Sequence, residues 1–214
     1  MNFKKSVKIA VIDYGMGNLR SVCRALETTG VQVFLIDNSR DVEKYQGLVF
    51  PGQGAISKTM YHINRNGFSD AIKSWIADNR PYFGVCLGMQ ALFDYSEEGK
   101  TAGLGIFPGI VRKFSTNSKY KVPHMGWNTV DFVKSIDNQK ILEGIVDKPQ
   151  FYFVHSYYIE PEDLSIVWGR TEYPFSFASA IRKGNTIATQ FHPEKSQSQG
   201  LQLYYNFAKL CNLF

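Results

Sequence analysis

The segment Gly84-Val85-Cys86-Leu87-Gly88 constrains the fold of this chain more than any other feature. It joins a short apolar run, Tyr82 to Val85, which predicts a buried parallel strand, to the stretch Met89 to Phe93, which predicts the start of a helix. A cysteine between two such glycines at a strand-to-helix turn is typical of a nucleophile elbow. Side chains two positions either side of the cysteine would crowd the neighbouring strand and the helix start. Because a helix N-terminus favours the thiolate form, we predict that Cys86 is a nucleophile.

A histidine and a carboxylate near the other end of the chain complement this cysteine. His192 and Glu194 follow a predicted strand, Thr186 to Gln190, and Pro193 favours an extended backbone at His192. Residues two apart in an extended segment project to the same side. A free cysteine is often only a small buried hydrophobe. Here a base is available, together with a carboxylate that can orient it, so we assign Cys86, His192 and Glu194 as a catalytic triad.

The first half of the chain alternates short apolar strands with helical segments. The predicted strands are Val7 to Ile12, Val31 to Ile36, Gly47 to Phe50 and Tyr82 to Val85, and the predicted helices are Asn18 to Thr29, Ala55 to Arg65 and Phe68 to Asp78. This pattern predicts a parallel sheet covered on both faces, in which ligands bind beyond the carboxyl ends of the strands. Pro51-Gly52-Gln53-Gly54 lies at such an end but lacks the Lys-Ser/Thr of a phosphate-binding loop. We interpret Gly52-Gln53 as an oxyanion donor, together with the N–H of Leu87.

From about Thr101 the predicted strands are shorter and more closely spaced. They are Ile110 to Phe114, Thr129 to Val133, Phe151 to Ile159, Ser165 to Gly169, Phe177 to Arg182 and Thr186 to Gln190, the last two joined by a hairpin turn at Lys183-Gly184-Asn185. A final amphipathic helix has Leu201, Tyr204, Tyr205, Ala208 and Cys211 at helical spacing. We predict a single α/β domain over residues 1–214. It should be a three-layer sandwich with a mostly parallel central sheet and a small antiparallel β region in the second half.

Composition and charge exclude several classes of function. The net charge of +5 is not concentrated in a basic patch interleaved with aromatic residues, so no nucleic-acid partner is expected. No apolar run approaches the length of a membrane span, and Val7 to Ile12 is too short for the core of a signal peptide. Three well-separated cysteines argue for a reducing compartment, the cytoplasm. No His or Cys pair has metal-ligand spacing, and we expect neither a metal nor another cofactor.

Four motifs, together with the elbow, resemble those of the class I (triad) glutamine amidotransferases, and within them the glutaminase subunits of imidazole glycerol phosphate synthase. They are Asp13-Tyr14-Gly15-Met16-Gly17-Asn18-Leu19, Pro51-Gly52-Gln53-Gly54, Pro123-His124-Met125-Gly126-Trp127-Asn128 and His192-Pro193-Glu194-Lys195-Ser196. The resemblance covers essentially the whole chain in order. The Pro-His-Met-Gly-Trp-Asn block and the Lys-Ser that follows His-Pro-Glu are more specific than the triad alone. The three-layer sandwich of this family, which is flavodoxin-like, is the fold that the resemblance implies.

The resemblance implies a complete reaction. Cys86 would attack the side-chain amide carbon of L-glutamine, His192 would take and return protons, and Glu194 would fix the tautomer of His192. The residues implied to contact glutamine are Gln90, Glu98, His155, Ser156 and Tyr157. From the residues alone we interpret His155, at the end of an aromatic run, as a structural histidine. The resemblance changes that interpretation to a substrate contact.

The resemblance also implies a heterodimer with a TIM-barrel cyclase. The cyclase would receive the ammonia and form imidazole glycerol phosphate and aminoimidazole carboxamide ribotide in histidine biosynthesis. The interface is expected to include Asn18, Trp127, Tyr152 and Lys195. In the family the oxyanion loop is completed when the cyclase binds its nucleotide, so the chain alone should hydrolyse glutamine slowly. Gln53 stands where the family usually has a small apolar residue.

Three alternatives remain open at this stage. A paralogous glutaminase could supply ammonia to a surface-sugar amidotransferase. The same Cys-His-Glu set could serve a peptidase or a thiol-based chaperone of related fold, which would need no partner. A binding subunit without catalysis is the third alternative, and the presence of Cys86, His192 and Glu194 argues against it.

Overall fold

A computed structural model describes residues 7–15, 18–115, 120–135 and 138–214. Met16 and Gly17 of the first motif lie outside the described residues. In chain order the strands are β1 (Lys8–Ile12), β2 (Gln32–Ile36), β3 (Gly47–Phe50), β4 (Tyr82–Val85), β5 (Phe93–Ser96), β6 (Thr101–Ala102), β7 (Phe107–Lys113), β8 (His124–Thr129), β9 (Asp131–Phe132), β10 (Gln150–His155), β11 (Tyr157–Pro161), β12 (Val167–Glu172), β13 (Ser176–Lys183) and β14 (Thr186–Thr189). The helices are α1 (Leu19–Glu27), α2 (Ile56–Arg65), α3 (Phe68–Ala77), α4 (Leu87–Gln90) and α5 (Gln197–Cys211).

One large sheet forms the centre of the molecule. Twelve strands of the described chain follow the order β2-β1-β3-β4-β14-β13-β11-β7-β5-β6, with β12 beside β13 and β9 beside β12. The strands from β2 to β14 pair in parallel, whereas β14, β13, β11 and β7 pair antiparallel. The predicted α/β architecture with an antiparallel region in the second half is therefore confirmed.

Helices cover both faces of the parallel part of the sheet. Ile9 and Val11 belong to a core cluster that includes buried residues of α1 and α5, whereas Ala10 and Ile12 belong to a cluster with α2 and α3. Successive residues of β1 thus point to opposite helical layers, as expected for a strand buried on both faces. This arrangement is the predicted three-layer sandwich, and it leaves the carboxyl ends of β1, β3, β4 and β14 at one edge.

Two predicted elements differ from the structure. The helix predicted from Met89 through Phe93 is shorter, because α4 ends at Gln90 and Phe93 begins β5, which pairs in parallel with β7. The strand predicted from Phe151 to Ile159 is two strands. β10 pairs with β8 in a separate two-stranded sheet, and β11 pairs with β7 and β13 in the large sheet. The change of partner occurs at Ser156, so residues around it leave regular pairing.

Two further boundaries shift. The Pro-His-Met-Gly-Trp-Asn block, interpreted as a turn leading into Thr129 to Val133, is itself mostly strand, since β8 starts at His124. The strand predicted at Ser165 to Gly169 begins later, at Val167, after a 3₁₀ turn over Leu164–Ile166. In the described ranges, no helix has the length and apolar character needed to cross a bilayer.

Candidate active site

Cys86 lies on a strained backbone between β4 and α4. Its φ is 52° and its ψ is −102°, an unusual conformation for a residue other than glycine. Its N–H donates to the carbonyl of Thr189 at 2.7 Å, which continues the pairing of β4 with β14. Its carbonyl accepts from the N–H groups of Met89 and Gln90 at 3.0 and 3.1 Å, which closes the first turn of α4. Strain held by surrounding contacts in this way is common at functional sites.

The two glycines of the elbow are required by steric contacts. A Cβ on Gly84 would lie 2.6 Å from the carbonyl oxygen of Gly88, and a Cβ on Gly88 would lie 1.9 Å from the carbonyl oxygen of Phe50 in β3. The prediction that side chains here would crowd the helix start and a neighbouring strand is confirmed. Gly52 is equally constrained, because its Cβ would lie 2.2 Å from the Cβ of Leu87. The oxyanion loop therefore packs directly against the elbow.

His192 and Glu194 form a buried ion pair. Nδ1 of His192 lies 2.8 Å from Oε1 of Glu194, and their side chains are 1% and 2% exposed. The backbone of His192 is extended, with φ −104° and ψ 97°, as Pro193 predicts. On the other side of the carboxylate, the hydroxyl of Tyr204 donates to Oε2 at 3.5 Å. Glu194 is thus positioned to hold the Nδ1 proton of His192 and to leave Nε2 free for chemistry.

The environment favours the charged form of this histidine. Burial opposes the imidazolium, but the nearby sulfur of Cys86 and the carboxylate of Glu194 outweigh burial and raise the pKa of His192 to about 10. Nε2 is buried and has no aligned hydrogen-bond partner among the described residues. An imidazolium beside a cysteine sulfur favours the thiolate. The arrangement can therefore supply a nucleophile and, from Nε2, a proton.

One cavity of about 460 Å³ contains the nucleophile and the histidine. Its lining residues are Gln53, Gly54, Cys86, Leu87, Gln90, Glu98, Pro123, Val154, His155, Ser156, Tyr157, His192 and Lys195. Every residue predicted to contact glutamine lies in this set, and Glu194 lies behind His192. A volume in this range suits a small-molecule substrate. The structure brings the predicted residues together, and their individual roles remain predictions.

The oxyanion loop faces away from the cavity at one key group. The N–H of Gln53 donates to the hydroxyl oxygen of Tyr14 at 3.1 Å, and that hydroxyl lies 3.5 Å from the carbonyl of Gln53. Tyr14 is 1% exposed, and burial raises its pKa to about 12. The Gln53 N–H is therefore engaged with Tyr14 and is not available to an oxyanion in the cavity. Leu87 is at the first position of α4, where helix N–H groups lack intrahelical acceptors.

Two of the predicted glutamine contacts also have structural partners. Oε2 of Glu98 accepts from the N–H of Ile56 at 3.1 Å and so caps the N-terminus of α2. The carbonyl of Ser156 accepts from the N–H of Phe114 at 3.0 Å. These bonds fix the cavity wall, while the second carboxylate oxygen of Glu98 remains available to a positively charged group.

A chain of polar side chains lies behind the cavity wall. Nδ2 of Asn128 lies 3.2 Å from Nε2 of His124, and Nδ1 of His124 lies 2.9 Å from Nε2 of His155. Nδ1 of His155 lies 2.8 Å from the carbonyl of Tyr157, which can only accept. Both rings are therefore neutral, with the proton on Nδ1. Burial agrees, since it lowers the pKa of His124 to about 4 and that of His155 to about 3.

The residues predicted to bind a partner are placed around the cavity mouth. Trp127 of β8 is 45% exposed and makes an edge contact with Tyr152 of β10. Nζ of Lys195 lies 5.7 Å from the Tyr152 ring centroid. Asn18 is exposed and caps α1 through Ser21, in a crevice shared with Gly52 and Gln53 of the oxyanion loop. An exposed aromatic and cationic surface thus adjoins the site.

Several site residues have no assigned role in the sequence-based prediction. Tyr14, His124, Gln190 and Tyr204 all contact members of the predicted site. One signal was available for Gln190, because it lies two positions before His192 at the end of a strand and so projects to the same side. Tyr204 was assigned only to the apolar face of the last helix.

Comparison with known proteins agrees with this geometry. The family model for class-I glutamine amidotransferases matches residues 10–210. The chain belongs to this family. It is 45% identical over 209 residues to imidazole glycerol phosphate synthase subunit HisH of Chromobacterium violaceum, covering 94% of this chain and 97% of that protein. It is 44% identical over 213 residues to the subunit of the same name from Neisseria meningitidis serogroup A, covering 94% and 99%.

The fold of the amidotransferase is also shared with a solved structure. PurLQS from Thermotoga maritima superimposes with a TM-score of 0.72 at 16% identity, over 98% of both chains. At this identity the similarity concerns the fold alone. It supports the α/β sandwich, whereas the family match and the two HisH relatives concern the sequence itself.

Proposed function

We propose that this chain is the glutaminase subunit of an imidazole glycerol phosphate synthase and that residues 1–214 form its single amidotransferase domain. The observation that carries the proposal is the shared cavity, in which Cys86 and His192 meet and Glu194 holds the histidine at 2.8 Å. The HisH relatives, alike over 94% of this chain, supply the synthase. The substrate is L-glutamine, and the products are glutamate and ammonia.

The first half-reaction forms a thioester. The Cys86 thiolate attacks the side-chain amide carbon of glutamine, and the carbonyl oxygen becomes an oxyanion. The N–H of Leu87 donates to this oxygen, and the N–H of Gln53 does so once it has left Tyr14. Nε2 of His192 then gives its proton to the amide nitrogen. The C–N bond breaks, ammonia leaves, and the glutamyl group remains on sulfur.

The second half-reaction restores the enzyme. Nε2 of His192, now unprotonated, accepts a proton from water, and the resulting hydroxide attacks the thioester carbon. The C–S bond breaks, glutamate leaves, and the sulfur returns to a thiolate beside an imidazolium. Glu194 stays ionised throughout and keeps Nδ1 protonated. Glu98, with one free carboxylate oxygen at the cavity wall, is suited to the α-ammonium group of glutamine.

The ammonia requires a protected route, because water would protonate and dilute it. The outward face of the two-stranded sheet carries Met125 and Trp127, which are 61% and 45% exposed, with Tyr152 and Val154 opposite them. Val154 and Lys195 also line the cavity, so this surface surrounds its mouth. A cyclase subunit seated there would receive ammonia directly. The resemblance implies that this partner is a TIM barrel.

The proposal is tested by glutaminase assays on the wild type and the Cys86→Ala variant, with and without a cyclase subunit and its nucleotide. We expect the wild-type chain alone to be slow, the complex to be faster, and the variant to lose at least about 10³-fold in rate. Cyclase activity with added ammonium should survive in the variant complex, which shows that the variant still folds and binds. Full glutaminase activity in Cys86→Ala would refute the proposal.

The same preparation separates the alternatives. A peptidase would cleave peptide substrates without a partner. A glutaminase of a surface-sugar pathway would fail to support imidazole glycerol phosphate formation from glutamine when mixed with the cyclase. Complementation of a histidine-requiring strain that lacks its own glutaminase subunit gives an independent answer.

A further inference from the structure

The amide of Gln190 contacts the reacting sulfur. Gln190 follows β14, is fully buried, and places Nε2 3.4 Å from Sγ of Cys86. This distance is within the range of a hydrogen bond to sulfur, and a thiolate is a far better acceptor than a thiol. In the mechanism above this residue has no role. The question is whether the amide is held with its nitrogen, rather than its oxygen, toward the sulfur.

Neighbouring groups decide the orientation of this amide. The carbonyl of Tyr157 can only accept, so the group 3.1 Å from it must be Nε2 of Gln90. The same Nε2 lies 3.0 Å from the Gln190 side chain, which must therefore present Oε1 to it. Only Nε2 of Gln190 then remains to face Cys86. The order of donors is fixed from the backbone carbonyl to the sulfur.

The position of that carbonyl is itself fixed. It also accepts from Nδ1 of His155 at 2.8 Å, and His155 is held by His124 and Asn128 in turn. Each member of the chain is buried or partly buried. A flip of either glutamine amide would place two N–H groups, or two oxygens, against each other. Such a mismatch in a buried site costs more than the bond it replaces.

We propose that Gln190 is a catalytic residue that donates a hydrogen bond from Nε2 to the Cys86 thiolate, in an orientation set by Gln90 and the Tyr157 carbonyl. This inference rests on the proposed function for its reaction. No proton is transferred along the chain. The bond is strongest when the sulfur is charged and weakens when the sulfur is bonded to the glutamyl carbon. It therefore favours the nucleophilic form and directs the sulfur toward the cavity.

The test measures the Cys86 thiolate directly, without glutamine. Iodoacetamide alkylates the thiolate, so the rate of Cys86 modification as a function of pH reports the thiolate fraction. The Gln190→Glu variant keeps the shape and the acceptor toward Gln90 but places an oxygen against the sulfur. We expect its midpoint to move up by about one pH unit, with about a tenfold slower reaction below the midpoint. Gln190→Leu should move it in the same direction.

The other titratable groups near the sulfur are unchanged in these variants: His192 with Glu194, Tyr14, and Glu98, His155 and Lys195 of the cavity. Asn206→Leu is the matched control, because it removes a buried amide bonded to the carbonyls of Ile141 and Glu143. The control should reproduce the wild-type profile. Unchanged profiles in both Gln190 variants would overturn the inference.

A measurement on the wild type covers variants that do not fold. The side-chain ¹H–¹⁵N resonances of Gln190 should titrate with the same midpoint as Cys86 alkylation, and this titration should be absent in Cys86→Ala. Independence of these resonances from pH would overturn the inference. The two proposals fail separately. A wild-type complex without glutaminase activity refutes the proposed function, whereas an active complex with unchanged Gln190 profiles refutes only the role of Gln190.

Discussion

The contact between Tyr14 and Gln53 predicts how fast the isolated chain works. The Gln53 N–H is bonded to the Tyr14 hydroxyl at 3.1 Å, and it must leave that oxygen to serve an oxyanion in the cavity. Tyr14→Phe removes the acceptor and leaves the ring, which packs edge-on against Phe50, in place. The buried N–H then loses its partner, and the loop conformation that turns it into the cavity is favoured.

The size of the effect follows from the one bond lost. A neutral hydrogen bond contributes about 0.5–1.5 kcal/mol, which is about 2- to 12-fold in the ratio of two loop conformations. We therefore expect the glutaminase kcat of isolated Tyr14→Phe to exceed that of the wild type by about this factor. In the complex with cyclase and nucleotide the bond is already broken, so the two rates should converge.

Tyr82→Phe is the control for the loss of a buried tyrosine hydroxyl near the elbow. Its hydroxyl donates to the carbonyl of Gly88 at 2.9 Å and has no contact with the oxyanion loop. It should not raise the basal rate. A Tyr14→Phe chain whose basal rate equals or falls below the wild-type rate, while its thermal stability shows a folded protein, would refute the reasoning.

Three further variants test the site and its surroundings. Glu194→Gln should lower kcat by about 10²- to 10⁴-fold. Because the folded-state pKa of His192 is raised from 6.5 to about 10, the stability advantage of the wild type over this variant should be full below pH 6.5 and lost as pH rises through 10, measured by urea unfolding. Burial lowers the pKa of His124 to about 4, so the unfolded chain takes up its proton first and the fold loses stability as pH falls from 6.5 to 4. His124→Phe, which can keep the stacking on neighbouring rings, should make this loss shallower by about one proton. Trp127→Ala should weaken cyclase binding about 10- to 100-fold by calorimetry, whereas Leu164→Ala, exposed elsewhere, should leave it unchanged.

The sequence predicted those parts of the fold that depend on local constraints. The elbow follows from two glycines whose Cβ atoms have no room, and the extended backbone at His192 follows from Pro193. The layers follow from short apolar strands separated by amphipathic helices. These features need only nearest neighbours and periodicity, and both are visible in one dimension.

The features that were wrong or missed depend on distant partners. Phe93 follows a helical pattern but joins a strand, because β7 offers it a pairing edge that only the folded chain creates. The strand through Ser156 divides because its two halves find different sheets. The Gln190–Gln90 contact joins residues one hundred positions apart, and the Tyr14–Gln53 contact joins residues thirty-nine apart. No local pattern specifies such contacts.

The two halves of the catalytic machinery are in different states of readiness in this structure. On one side of Cys86, the Gln190 amide and the His192–Glu194 pair both favour a charged sulfur, and each is held by buried bonds. On the other side, one of the two oxyanion donors is bonded to Tyr14. Thiolate formation is therefore already favoured, whereas stabilisation of the oxyanion still requires a peptide to turn. Since the loop lies beside the partner-facing surface, a partner can control the rate through that turn while leaving the nucleophile undisturbed.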